Sequence, residues 1–262
     1  MYALTSTHTV NVPVYSAEEG LGREMDLLDA VASGKRQAGF MLWRCQRSLV
    51  VPRNLANRPR FASACDRMNE RGWPVVVRQT GGDLTPQSPG LLNVAMVFRQ
   101  QRHTGAIHDS YQQLCAPLIR ALDTLGIQAY CNSVQGAFCD GDYNLVVDGK
   151  KLAGTAQRWR RLRNEVPSRA SDHAVLAQAV ILVDEKLTRL WHIGNEFYRA
   201  CDIDYRIEPQ RHIALSELLH NSHGALIEQV SDCIQDTLQE WLLNQLIPTD
   251  SASPTVLPTA PQ

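Results

Sequence analysis

QGAFCDGDYNLVVDGKKLAGTAQRWRR, residues 135–161, reads as a β-hairpin with its turn spelled out. Tyr143, Leu145 and Val147 alternate with Asn144, Val146 and Asp148. Asp148-Gly149 then supplies the two positive-φ positions of a tight hairpin turn. The return strand opens at Lys151 and carries Gly154 inside a Leu-Ala-Gly-Thr-Ala run. A glycine inside a strand marks a bulge or a close approach of another group. Just upstream, Cys139 sits in a Phe138-Cys139-Asp140-Gly141 loop. The hairpin therefore gathers a thiol, an amine and open backbone into one neighbourhood.

Outward from this unit, helices and strands alternate. Glu24–Val31 and Pro59–Arg71 have helical spacing, and Ile107–Leu125 places Ile107, Tyr111, Leu114, Leu118, Leu122 and Leu125 on one face. Asp184–Phe197, Leu215–His220 and His223–Leu246 supply further helices. Ala38–Trp43 and Ser48–Val51 read as a strand pair around a polar turn, and Pro74–Val77, Leu91–Phe98 and Ala174–Val183 as buried strands. These bursts predict a mixed α/β or α+β single domain over residues 1–247. The remaining segment, PTDSASPTVLPTAPQ (248–262), is too polar and proline-rich to order itself.

The chain has 262 residues, 44% hydrophobic and 20% charged, enough for a sizeable core. Its formal net charge of −1 gives no electrostatic case for nucleic acid. No apolar run reaches the ~20 residues of a membrane span, and the N-terminal stretch lacks the pattern of a secretion signal. Seven scattered cysteines with no Cys-x-x-Cys point to thiols in a reducing cytoplasm and to no structural metal site.

Three groups could carry chemistry. Arg78-Gln79-Thr80-Gly81-Gly82 follows a buried strand and can offer a guanidinium and backbone N–H groups to a carbonyl or anion. Lys151 is either a solvent-facing strand residue or an ammonium held against a carbonyl. Cys139 differs from the other cysteines in its turn setting. A neighbouring ammonium would favour its thiolate, and Asp140 and Asp142 act against that. Arg158, Arg160 and Arg161 could meet an acidic carrier protein or simply solvate a strand.

With these residues in place, the chain resembles the lipoate/biotin protein ligase and octanoyltransferase superfamily. Val75–Asn93 resembles its R-x-T-G-G-G-x-V-x-H-x-P-G-x-L-N stretch, with Asp83 at the third glycine and Gln87 at the histidine. Tyr143–Ala156 resembles its acyl-site hairpin, with Lys151 at the lysine of K-x-[SA]-G-[ST]-A. Phe138–Leu145 is similar to the Tyr-Cys-Pro-Gly-x-Tyr-Asp-Leu loop of the cysteine-dependent lipoyl/octanoyl amidotransferases, with Asp140 in place of proline. A different branch carries its cysteine in the R-x-T-G segment, where this chain has Gln79.

The resemblance implies a mixed or antiparallel central sheet flanked by helices. It also implies an acyltransferase that moves an octanoyl or lipoyl group to a lysine of a lipoyl carrier domain through a Cys139 thioester. Cys139 and Lys151 would be catalytic. Arg78, Thr80, Gly81, Gly82, Asn93, Tyr143, Gly154 and Thr155 would bind substrate, with Val76, Leu84, Leu92, Val94 and Leu145 as walls of an acyl tunnel. The carriers would be glycine-cleavage H protein or a 2-oxoacid dehydrogenase E2, with acyl-carrier protein a further donor. No cofactor is required on this reading. Two alternatives stand beside it: an ATP- and Mg²⁺-dependent lipoate ligase that forms an adenylate, and a non-catalytic protein that binds lipoyl carriers.

Overall fold

The computed structural model describes residues 11–163, 172–219 and 225–246. The tail expected beyond residue 247 lies outside them. The elements run β1 (Val14–Tyr15), α1 (Ala17–Ala32), β2 (Gly39–Cys45), β3 (Ser48–Pro52), α2 (Arg53–Ala56), α3 (Phe61–Glu70), β4 (Val75–Arg78), β5 (Thr85–Gln87) and β6 (Leu91–Gln101). They continue with α4 (Ala106–Thr124), β7 (Tyr130–Asn132), β8 (Asn144–Val147), β9 (Lys150–Arg161), β10 (Asp172–Leu182), α5 (Leu187–Ala200), α6 (Leu215–Leu218) and α7 (Leu226–Leu246).

Seven strands form one sheet in the order β1-β2-β6-β10-β9-β8-β7, and three form a second in the order β4-β3-β5. Among the described strand pairs, β1–β2 and β3–β4 are parallel and the rest antiparallel, so both sheets are mixed, as the resemblance implied. At the centre of the large sheet, β6 and β10 pair antiparallel along their whole length, Leu91–Gln101 against Asp172–Leu182. Alternation sends their side chains to two faces. Leu92, Val94, Met96 and Phe98 pack with Val175, Ala177, Ala179 and Ile181 under α4 and α7. On the opposite face Ala95, Val97, Ala174 and Leu176 lie under α1. The small sheet packs with α3 and α5 through Leu49, Val51, Met68, Leu84 and Trp191.

The hairpin forms where its sequence predicts. Val147 pairs with Lys150, leaving Asp148 (φ 48°) and Gly149 (φ 73°) as the two-residue turn. Leu145 pairs with Ala153 while Val146 pairs with Lys151, so Leu152 is an inserted bulge residue. The bulge re-aims this end of β9, and Lys151 becomes 0% exposed.

Three expectations need correction. Ala38–Trp43 and Ser48–Val51 are strands but do not pair with each other. β2 joins β1 and β6, whereas β3 crosses into the small sheet between β4 and β5. A polar turn between two apolar runs signals their proximity and leaves the choice of partner strand open. Helix α1 begins at Ala17 rather than Glu24, because the Ser16 hydroxyl accepts the Glu19 N–H at 3.1 Å as its N-cap. Ile107, expected on the buried face of α4, is 59% exposed in the first turn of that helix.

Helix α1 approaches β2 across Gly20. A Cβ there would lie 2.1 Å from the Trp43 ring, which is itself buried. Gly20→Ala should therefore lose about 2 kcal/mol of unfolding free energy in urea, despite the better helix propensity of alanine. A midpoint equal to or above the wild type would show that the helix can move away without cost.

Candidate active site

The end of β4, the turn into β5 and the loop before β8 converge on the Cys139 sulfur. The Asp83 N–H donates to Sγ at 3.0 Å, and Arg78 Nη2 approaches it at 3.6 Å. Arg78 is held by two further bonds, Nη1 to Thr85 Oγ1 at 3.2 Å and Nη2 to the Asp83 carbonyl at 2.9 Å. Its Nε and the Thr80 hydroxyl are buried without a hydrogen-bond partner. Gly82 permits this approach. Its φ of +99° lies in the region glycine favours, and a Cβ would stand 2.6 Å from both Sγ and Arg78 Nη2.

Cys139 itself has φ 42°, a left-handed conformation that costs a non-glycine residue about 1 kcal/mol or more. The surroundings hold it there. Lys151 Nζ donates to the Phe138 carbonyl at 2.5 Å and the Cys139 carbonyl at 2.8 Å. It also lies 4.2 Å from the Phe138 ring centroid. Gly154 leaves room for this amine, since a Cβ there would come within 3.1 Å of Lys151 Cε and Nζ. Asp140 stiffens the other side of the loop. Its Oδ1 accepts from the Val134 N–H, the Gly141 N–H and Asn144 Nδ2 at 2.7, 2.9 and 2.7 Å. A carboxylate with three donors thus braces the turn where the similar loops carry proline.

Burial pulls the Lys151 ammonium down to about 8, and the Arg78 charge adds to that, while Cys139 and Asp140 pull it back up. Burial, then the Lys151 charge, pushes His212 down to about 4. This imidazole accepts the Phe138 N–H through Nε2 at 3.1 Å, and its Nδ1 lies 3.0 Å from the Glu208 carbonyl. The pair of contacts defines a neutral ring protonated on Nδ1.

Beside the thiol, a cavity of about 30 Å³ runs between the two sheets. Trp43, Val50, Phe138, Ala156, Ala179 and Val180 supply apolar walls, and Glu24, Gln87, Asn93 and Gln178 polar ones. Asn93 and Gln87 exchange two amide hydrogen bonds, at 3.0 and 3.1 Å. Glu24 accepts Trp43 Nε1 at 2.9 Å and also Gln178 Nε2. Burial lifts the Glu24 carboxyl to about 7, against the pull of these two donors and of Arg78.

Cys139, Arg78, Asn93, Gly154 and Thr155 line one cavity, while Gly82 packs against the sulfur and Lys151 lies behind Gly154 and the Phe138–Cys139 peptide. Thr80 is buried nearby, and Gly81 points at open space. Tyr143 stands apart from the cavity. Its ring stacks on Tyr111 at 4.2 Å and its hydroxyl meets His108 at 2.8 Å, while its carbonyl accepts the Thr155 hydroxyl. The expected tunnel walls do not line the cavity either. Leu92, Val94 and Leu145 face the α4–α7 core, Leu84 packs in the α3–α5 core, and Val76 joins a cluster with Trp43. On β6, alternation turns the Asn93 side chain to the cavity and those of Leu92 and Val94 to the α4–α7 core. Arg158 donates to the Gln79 carbonyl and Arg160 pairs with Asp29. Glu24, Trp43, Gln178 and His212 carry no local motif, and only tertiary contact reveals them.

A half-buried thiol in a braced turn, a pinned lysine and a cavity between two mixed sheets make up the candidate site. The sequence model of the lipoyl protein ligase A/B catalytic domain matches residues 16–239. The chain belongs to that family, whose members are acyltransferases. It is 34% identical over 232 residues to an uncharacterised protein of Cupriavidus necator, covering 84% of this chain and 91% of that one. It is 31% identical over 215 residues to the octanoyl-[GcvH]:protein N-octanoyltransferase of Kyrpidia tusciae, covering 81% and 73%. Among solved structures, lipoate-protein ligase A bound with ATP superposes with a TM-score of 0.63 at 17% identity, over 88% of this chain and 84% of that one. The bipartite lipoate protein ligase of Thermoplasma acidophilum, described with its E2 lipoyl domain, gives 0.60 at 17%, over 90% and 85%. At these identities the structural likeness concerns the fold alone.

The Glu24 carboxyl titrates higher in the folded protein than in the unfolded chain, so folding favours its protonated form. Stability is therefore lost as pH rises from about 4.5 to about 7. Glu24→Gln should match the wild type in urea unfolding near pH 4.5 and exceed it by about 3 kcal/mol at pH 8. An equal difference at the two pH values would show that Glu24 does not titrate in this window. Gly82→Ala should slow alkylation of Cys139 by iodoacetamide at least about tenfold, because the new methyl group and the sulfur cannot share the turn. Unchanged alkylation would mean that the loop relaxes freely.

Proposed function

We propose that the protein transfers an octanoyl or lipoyl group to a lysine of a lipoyl carrier domain through a thioester on Cys139. The observation that carries this reading is the pair of donors on its sulfur, the Asp83 N–H at 3.0 Å and Arg78 Nη2 at 3.6 Å. The two donors fix the sulfur in one orientation at the mouth of the turn, which a nucleophile must hold to meet an acyl carbonyl. In the first half-reaction the sulfur attacks the acyl carbonyl of the donor carrier. A C–S bond forms, the bond to the donor's lysine nitrogen breaks, and that amine leaves with the proton given up by the thiol. In the second half-reaction the acceptor lysine attacks the thioester, a C–N bond forms, and the released sulfur recovers a proton. One amide replaces another, so the exchange needs no oxidant and no nucleotide. Lys151, brought to about 8 by burial, can yield and retake a proton near neutral pH. One of its three N–H bonds is left beyond the two carbonyls, beside the space that Gly154 leaves open.

The carriers follow from relatives named for octanoyl-[GcvH] and from the family structure described with an E2 lipoyl domain. A cavity of about 30 Å³ is far below the ~300 Å³ of a typical small-ligand pocket, so an eight-carbon chain enters only as its lining side chains move. The segment similar to the nucleotide-using ligases does not fit a nucleotide well. Asp83 stands at the third glycine with its N–H spent on sulfur, and Gln87, at the histidine position, is locked to Asn93. This favours the nucleotide-free route over adenylate chemistry.

The test is intact mass after incubation with octanoylated glycine-cleavage H protein and no ATP. A hydroxylamine-labile octanoyl adduct is expected on the native protein and not on Cys139→Ser, with transfer to a lipoyl domain falling at least about 100-fold in that variant. Transfer that instead requires free acid, ATP and Mg²⁺ and survives Cys139→Ser would replace this reading with the ligase. Carrier binding without any transfer would replace it with a binding protein.

A further inference from the structure

We infer that His212 is a positioning residue for the thiol: it clamps the peptide that presents Cys139, and acts through the backbone rather than on substrate. The inference concerns the same site as the thioester reading and rests on it for its catalytic meaning.

Both ring nitrogens are committed. Nε2 accepts the Phe138 N–H at 3.1 Å, and Nδ1–H donates to the Glu208 carbonyl at 3.0 Å. No lone pair or proton is free for a substrate, which removes the usual general-base role of a histidine near a cysteine. The ring is 3% exposed and forms a three-ring cluster with Phe138 and Trp191, whose own centroids are 5.1 Å apart. Phe138 stacks on it with centroids 5.4 Å apart and planes at 21°, and Trp191 lies 4.2 Å away at 33°. Its rotation is therefore blocked, and its acceptor stays aimed at one backbone N–H.

That N–H belongs to the residue just before the nucleophile. Lys151 holds the Phe138 carbonyl and His212 holds the Phe138 N–H, so both backbone polar groups of Phe138 are tied to side chains. The same segment is sewn to β9, since the Ile213 N–H donates to the Lys151 carbonyl at 3.1 Å. His212 and Lys151 thus share one rigid support. Strained backbone persists only where its surroundings over-determine it. The left-handed φ of 42° at Cys139 is such a case, with His212 on one side of the Phe138–Cys139 unit and Lys151 on the other. Without the Nε2 acceptor the Phe138 N–H would be buried and unpaired, and the turn would gain by relaxing. The sulfur would then leave the Asp83 N–H.

The experiment compares His212→Gln with His212→Asn. The glutamine amide reaches the place of Nε2 and can accept the Phe138 N–H, whereas the shorter asparagine reaches only the place of Nδ1. Three readouts are taken on each: melting temperature, the alkylation rate of Cys139 by iodoacetamide across pH 6–10, and kcat and KM of octanoyl transfer. Expected for the asparagine variant are losses of about tenfold in alkylation and in kcat, with KM within about twofold. The glutamine variant should stay within about threefold of the wild type. Equal behaviour of the two variants, or wild-type alkylation in the asparagine variant, overturns the inference. If the asparagine variant does not fold, the glutamine variant decides: wild-type melting with alkylation slowed about tenfold also overturns it. Alkylation does not depend on acyl transfer. Persistence of transfer in Cys139→Ser would therefore defeat the thioester reading without being confused with a failure at His212.

Discussion

The structure around the thiol depends on one buried cation, the Lys151 ammonium held against the carbonyls of Phe138 and Cys139. Taking an ammonium out of water is costly, and the drop to about 8 corresponds to about 3 kcal/mol against the charged form. Two carbonyl dipoles and the face of the Phe138 ring offset part of that cost. What the protein gains is a turn that cannot flatten: both carbonyls must face the amine, and Cys139 is left with its side chain pointing at Arg78 and Asp83. A residue that looks like a surface lysine in the sequence is thereby the internal support of the site.

Everything near this contact is shaped to leave it room. Gly154 makes space for the amine, where a methyl group would press at 3.1 Å, and Gly82 for the sulfur, where one would collide at 2.6 Å. The β9 bulge turns Lys151 inward, while Asp140 and His212 hold the two ends of the loop. These devices sit on different elements: a hairpin, the turn between two strands of the small sheet, and a segment more than fifty residues downstream. They converge at the cavity lined by residues of both sheets.

The cavity between the sheets shows how far the sequence could be followed. The hairpin, its turn and its glycine are local features, and alternation with a positive-φ pair specifies them without reference to the rest of the chain. The strands and helices that carry long apolar faces are legible for the same reason. The partner of β3 was not, because Leu49–Val51 would suit either sheet and the choice is made by burial against Trp73, Met68 and Leu84. Apolar character alone does not identify the cavity walls, because strand alternation decides which face a residue occupies. On β6 the polar Asn93 looks into the cavity, and the leucine and valine beside it look away.

By itself the sequence determined the class of fold and the central hairpin, and its resemblance to the family singled out Cys139, Lys151, Arg78, Gly82 and Gly154 as candidate site residues. Short-range patterns carry the hairpin and the element types, since turn geometry and strand alternation depend on neighbours in the chain. Tertiary structure alone decided that Lys151 is buried, that Asp83 donates its N–H to the sulfur, and that Glu24, Trp43, Gln178 and His212 belong to the same neighbourhood. Those facts rest on contacts between residues dozens of positions apart, brought together only when the two sheets pack and exclude water. Burial then sets which protons the lysine, the glutamate and the histidine hold.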